Sequence, residues 1–73
     1  MKQRQEWLLT MINYNPMPED FTLFMDKRSI RALDRLISKG LVNAPCSHEP
    51  RYTATLDGMA QAASIAYDAE KKG

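Results

Sequence analysis

Apolar positions recur along this chain at helical spacing in three places and give way to short extended runs in one. From Lys2 to about Tyr14, Leu8, Met11 and Ile12 share one helical face, with Trp7 and Tyr14 beside them and Lys2, Arg4 and Glu6 near the start. Asn15-Pro16-Met17-Pro18 interrupts that pattern, because proline disfavours helical geometry in the residue before it. Pro18 followed by Glu19 and Asp20 suits a helix start, where acids complement the exposed N–H groups. A short second helix through Phe21, Leu23, Phe24 and Met25 is expected there, held by packing rather than by its own length.

The third helix is the clearest. Asp26 or Ser29 caps it, Ile30, Leu33, Leu36, Ile37 and Leu41 form its apolar stripe, and Gly40 stands where the helix should end. At about 100° per residue, Arg28, Arg31, Arg35, Ser38 and Lys39 fall opposite that stripe. Beyond Gly40, Leu41-Val42 and Arg51–Thr55 read as two short strands around the turn-rich stretch 43–50. Pro45 and Pro50 limit ladder pairing, so the hairpin should be short and irregular. Thr55 caps a last helix beginning near Leu56, on which Met59, Ala60, Ala63, Ala66 and Tyr67 line one face. Trp7, Tyr14, Phe21 and Phe24 fall near apolar stripes and are expected in the core, and Met11, Met17, Met25 and Met59 in the core or filling gaps around it.

That order is helix, short helix, helix, hairpin, helix, and it fits a winged helix-turn-helix. The stretch Ser29-Ile30-Arg31-Ala32-Leu33-Asp34-Arg35-Leu36-Ile37-Ser38-Lys39-Gly40-Leu41-Val42 resembles the recognition helix of the winged-helix regulators running into the first wing strand. Tyr52-Thr53-Ala54-Thr55-Leu56-Asp57-Gly58 is similar to the second wing strand and the turn after it. Short MarR-like and PadR-like regulators of bacterial or phage type are the nearest in kind. The resemblance implies an α+β, mainly α fold: residues 1–73 as a single winged helix-turn-helix domain of three helices, a two-stranded wing and a C-terminal helix. It also implies transcription regulation by contact with double-stranded DNA. Arg28, Arg31 and Arg35 would reach base edges or phosphates, with Lys27, Ser38 and Lys39 adding backbone contacts and Arg51 as the wing cation.

Charge and composition change this picture in two directions. The chain's 73 residues carry a net charge of only +1, so bulk charge does not point to nucleic acid. Yet five of the ten basic residues, Lys27, Arg28, Arg31, Arg35 and Lys39, lie in one short segment against the single acid Asp34. A solvated helix face is the bland explanation of such a run. Winged helices also dock proteins, and fold does not fix function. The low net charge, the acidic Glu19-Asp20 pair and a wing with Glu49 and two prolines suit an adaptor that binds RNA polymerase or another transcription protein without reading DNA. A homodimer through the first and last helices would double the DNA contacts of one copy.

The remaining chemistry is sparse. Cys46 is the only cysteine, which excludes an intrachain disulfide and favours a reducing, cytoplasmic setting. Neither a signal peptide nor a membrane partner is expected from the polar start and the short apolar runs. Cys46 and His48 lack a second ligand pair, so no metal is expected, and no cofactor motif is present. A single histidine without a partnered acid or nucleophile leaves an enzyme as the least favoured class.

Overall fold

The computed structural model describes residues 3–72 and is mainly helical, with a small antiparallel sheet; the expected start at Lys2 lies outside the described residues. Its elements run α1 (Gln3–Tyr14), β1 (Met17–Pro18), a 3-10 helix (Glu19–Phe24), α2 (Lys27–Ser38), β2 (Val42–Asn43), β3 (Arg51–Ala54) and α3 (Leu56–Lys72). The sheet has the strand order β1-β3-β2, with Met17 opposite Tyr52, Pro18 opposite Arg51, and Val42 opposite Ala54. Three strands form where two were expected. Pro18 sits in an edge strand, the place in a sheet where a missing N–H donor costs no ladder bond.

Local chemistry sets the ends of α2. The Asp26 Oδ1 accepts the Ser29 N–H at 3.0 Å, satisfying one of the free donors of the first turn. At the other end Gly40 takes φ +75°, the left-handed conformation that glycine adopts without penalty. Leu41 N–H then donates to the Leu36 carbonyl and Gly40 N–H to that of Ile37, both at 3.0 Å, which closes the helix in a Schellman turn. The second predicted helix is a 3-10 turn instead. Only six residues separate the Pro18 strand end from Met25, which is extended and leads straight into the Asp26 cap, so the segment winds tightly and stops.

Leu8, Leu9, Ile12, Leu33, Leu36 and Val42 form the core, closed by Ala32 and Ala62. Met11, Met17, Met25 and Phe21 pack around it, and Phe21 meets Tyr52 edge to face with ring centroids 5.3 Å apart. Three aromatic rings expected inside are outside: Trp7 is 57% exposed, Tyr14 87% and Phe24 90%. The α1 stripe explains the first two, since Gln5, Leu8, Leu9 and Ile12 take the inward positions and leave residues 7 and 14 on the flank. Phe24 ends the 3-10 turn, which buries no residue fully. The face of α3 is likewise rotated from expectation. Gly58, Ala62 and Ile65 point inward at i, i+4, i+7 spacing, and Met59, Ala60, Ala63, Ala66 and Tyr67 are exposed.

A clasp joins α2, the hairpin and α3. The Thr55 N–H donates to the Leu41 carbonyl at 3.0 Å, and its hydroxyl donates to the Gly40 carbonyl at 2.7 Å while accepting from Gly58 N–H at 2.9 Å. Thr55 therefore caps α3 and ties its start to the end of α2. Gly58 completes the contact, because a Cβ there would collide with the Leu41 carbonyl group. The hairpin between is narrow and irregular, as its prolines suggest: Cys46 and Glu49 exchange backbone hydrogen bonds at 2.8 and 3.2 Å around Ser47-His48. Among the described residues, no helix is long and apolar enough to cross a membrane.

Candidate nucleic-acid interface

Residues 28, 31 and 35 follow one another at i+3 and i+4, so on a helix they stack along one flank. In α2 that flank faces α1, and the three arginines line a groove with Arg4, Gln5 and Ala32. The groove, open to solvent, has a volume of about 390 Å³, and no acid stands in its lining. Arg28, Arg31 and Arg35 are exposed and, among the described residues, make no ion pair. Like charges at these spacings cost a helix about 0.2–0.5 kcal/mol per pair. The sequence keeps two such repulsions, Arg28 with Arg31 and Arg31 with Arg35, and the neighbouring Asp34 makes no ion pair with any of the three among the described residues.

Arg4 reaches the groove from the other helix. Its Nη1 donates to the Ser29 hydroxyl at 2.8 Å and lies 3.4 Å from the Asp26 Oδ1. Asp26 thus serves twice, as the cap of α2 and as the anchor of Arg4. Hydrogen bonding from Ser29, with Arg4's charge adding to it, holds the Asp26 carboxyl below the ordinary aspartate range. Gln5 is buried in the groove wall, and its Oε1 accepts from the Lys39 ammonium at 3.1 Å.

The other expected contacts are placed apart. Lys27 and Ser38 are exposed on α2 but do not line the groove. Lys39 follows α2 and turns its ammonium to Gln5. Arg51, at the start of β3, is held by Glu49, with Nε to Oε1 at 2.9 Å and Nη2 to Oε2 at 3.3 Å. This forked pair lowers the Glu49 pKa and raises that of Arg51. It leaves the hairpin cation neutralised, bordering a second depression lined by Pro18, Glu19, Asp20, Leu23 and Tyr52. Beside that depression Leu23 is 79% exposed, which with Phe24 makes an apolar edge next to two acids.

Sequence reasoning missed Arg4 and Gln5 as groove residues. The signal for Gln5 was present: positions 5, 8, 9 and 12 form one stripe, so a polar residue at 5 had to enter the interior and find a partner. Arg4 had no comparable signal, because its partners Asp26 and Ser29 lie 22 and 25 residues away. Comparison of the chain with protein-family models, with curated proteins and with solved structures gives no match.

Proposed function

We propose that this chain is a winged helix-turn-helix transcription regulator of the cytoplasm that binds double-stranded DNA through α2. The observation that carries this reading is the row Arg28, Arg31, Arg35, exposed on one flank of a helix without acidic partners among the described residues. The element order and the β1-β3-β2 sheet suit a winged helix, with α2 as recognition helix and the β2–β3 hairpin as wing.

Dimensions agree with this use. A helix with its side chains is about 10–12 Å across, and the major groove of B-form DNA is about 12 Å wide. From Arg28 to Arg35 the axial rise is about 10 Å, roughly three base-pair steps. Arginine forks match the O6 and N7 acceptors of guanine and the oxygens of phosphate, so this row suits either target. The neutralised Arg51 makes the wing a minor contributor.

Arg31→Ala combined with Arg35→Ala tests the reading. Both side chains are exposed and make no ion pair among the described residues, and the change removes a like-charge repulsion while adding good helix formers. The variant should keep or slightly raise its thermal midpoint and lose most duplex affinity, with a shallower salt dependence. Undiminished duplex binding by the folded variant would sink the reading.

A second reading has its own support. The exposed Leu23 and Phe24, flanked by Glu19 and Asp20, form an edge suited to a protein partner such as RNA polymerase. On that reading the chain regulates transcription as an adaptor and the arginine row is incidental.

A further inference from the structure

An arginine row on a single helix needs nothing from a neighbouring helix to read a groove. Here α1 adds a fourth arginine to the lining of the same cavity, and Arg4 is held there by side-chain hydrogen bonds. Among the described residues, its side-chain hydrogen bonds run through Nη1, to the Ser29 hydroxyl at 2.8 Å and to the two Asp26 oxygens at 3.4 and 3.5 Å. A guanidinium carries five N–H donors, so Nε and Nη2 stay available, and the Asp26 contacts at 3.4 and 3.5 Å are looser than the two-nitrogen fork, at 2.9 and 3.3 Å, that neutralises Arg51. Fixing a long side chain in advance reduces the ordering cost of a later contact.

The groove is thus lined by arginines from two helices, with the buried Gln5 in its wall and no acid in its lining. A carboxylate, planar and singly charged, is satisfied by one arginine fork. Several arginine forks along one groove suit a tetrahedral anion with more oxygens. The volume of about 390 Å³ exceeds a bare phosphate and leaves room for an ester substituent.

We propose, resting on the DNA-binding reading only for where the phosphate comes from, that the α1–α2 groove, lined by Arg4 from one helix and Arg28, Arg31 and Arg35 from the other, is a phosphate-binding cleft. Arg4 is the pre-positioned donor and Asp26 and Ser29 are its positioning residues. The source is a backbone phosphate of the duplex or the phosphate of a small phosphorylated molecule; the chemistry at the cleft is the same.

The test uses the full chain and the NMR signals of the arginine Nε–H groups, titrated with inorganic phosphate at constant ionic strength. Acetate serves as comparator. The signals of Arg4, Arg28, Arg31 and Arg35 should move together along one binding curve, while Arg51 stays still and acetate has little effect. Arg4→Gln should weaken phosphate on the order of tenfold, the loss of one charge-assisted contact, and Lys71→Gln on α3 should not. Arg31→Gln, which breaks no ion pair among the described residues, should give a similar loss and carries the test if Arg4→Gln unfolds. Equal movement of Arg51, equal response to acetate, or an unchanged phosphate affinity in both variants would overturn the cleft. A short duplex separates this outcome from the DNA reading. If phosphate binds in the groove and the duplex does not bind at low salt, the cleft stands with a small phosphorylated ligand and the DNA reading falls. If the duplex binds, phosphate moves nothing and Arg4→Gln keeps the wild-type salt slope, the cleft falls and the DNA reading stands.

Discussion

Gly58→Ala places a methyl group where two elements of this fold are closest. Gly58 lies in the first turn of α3 with no positive φ, so on helix propensity alone alanine should be the better residue there by about 0.5–1 kcal/mol. Its Cβ, however, would overlap the Leu41 carbonyl oxygen and come within 3.0 Å of the carbonyl carbon. That oxygen is main chain, held by the Thr55 N–H at 3.0 Å, and cannot swing aside as a side chain would. Relief requires α3 to move off the α2–β2 junction, which stretches the Thr55 clasp. Overpacking of this kind costs about 1–3 kcal/mol, and a backbone obstacle puts it at the upper end. The net expectation is a loss of about 2 kcal/mol from a total near 4–11 kcal/mol for a chain of this length. At about 4–8 °C per kcal/mol, the thermal midpoint should fall by about 8–16 °C by circular dichroism. Ala60→Gly, at an exposed position of the same helix, should also destabilise, by about 1 kcal/mol, so the two substitutions are opposite in chemistry and alike in sign. A midpoint that rises in Gly58→Ala would refute the close approach and with it the clasp that seats the hairpin.

Two further outcomes follow from the surface. Because its folded-state pKa is lowered, Asp26 contributes stability above its unfolded pKa and loses it as pH falls below about 4 toward the folded value; the midpoint should drop more steeply with acid in the wild type than in Asp26→Asn, which caps without titrating. Parallel acid profiles would contradict that assignment. Leu23→Ser with Phe24→Ser removes two exposed apolar groups, so it should shift the midpoint by only a few degrees and leave duplex affinity intact. Loss of regulation in a reporter, together with loss of binding to purified RNA polymerase, would favour the adaptor reading instead.

What the sequence disclosed and what it hid divide along physical lines. The ends of α2 were legible, because Asp26 and Gly40 act through their own neighbouring backbone. The strand β1 was not: two residues, one a proline, show no alternation, and their pairing with Arg51 and Tyr52 is a long-range event. In α3 the abundance of alanine left the inward face undetermined by hydropathy. The contact at Leu41 chooses it, since only glycine fits at residue 58 and residues 62 and 65 then follow inward. The same limit applies to the candidate interface. A row of arginines at i+3 and i+4 can be read from spacing, whereas the fourth, Arg4, joins it only once α1 packs across α2. The aromatic residues misled for a related reason: Trp7 and Tyr14 are apolar but off the stripe, and position on the helix decided their exposure.

The central claim, that the arginine flank of α2 engages duplex DNA, is tested most directly by titrating the labelled protein with mixed-sequence duplex at low and at moderate salt. Backbone shifts confined to residues 28–39 with the Arg4 side chain, shrinking as salt rises, are the result this account predicts. No shifts at low salt, or shifts gathered on Leu23 and Phe24 instead, would contradict it.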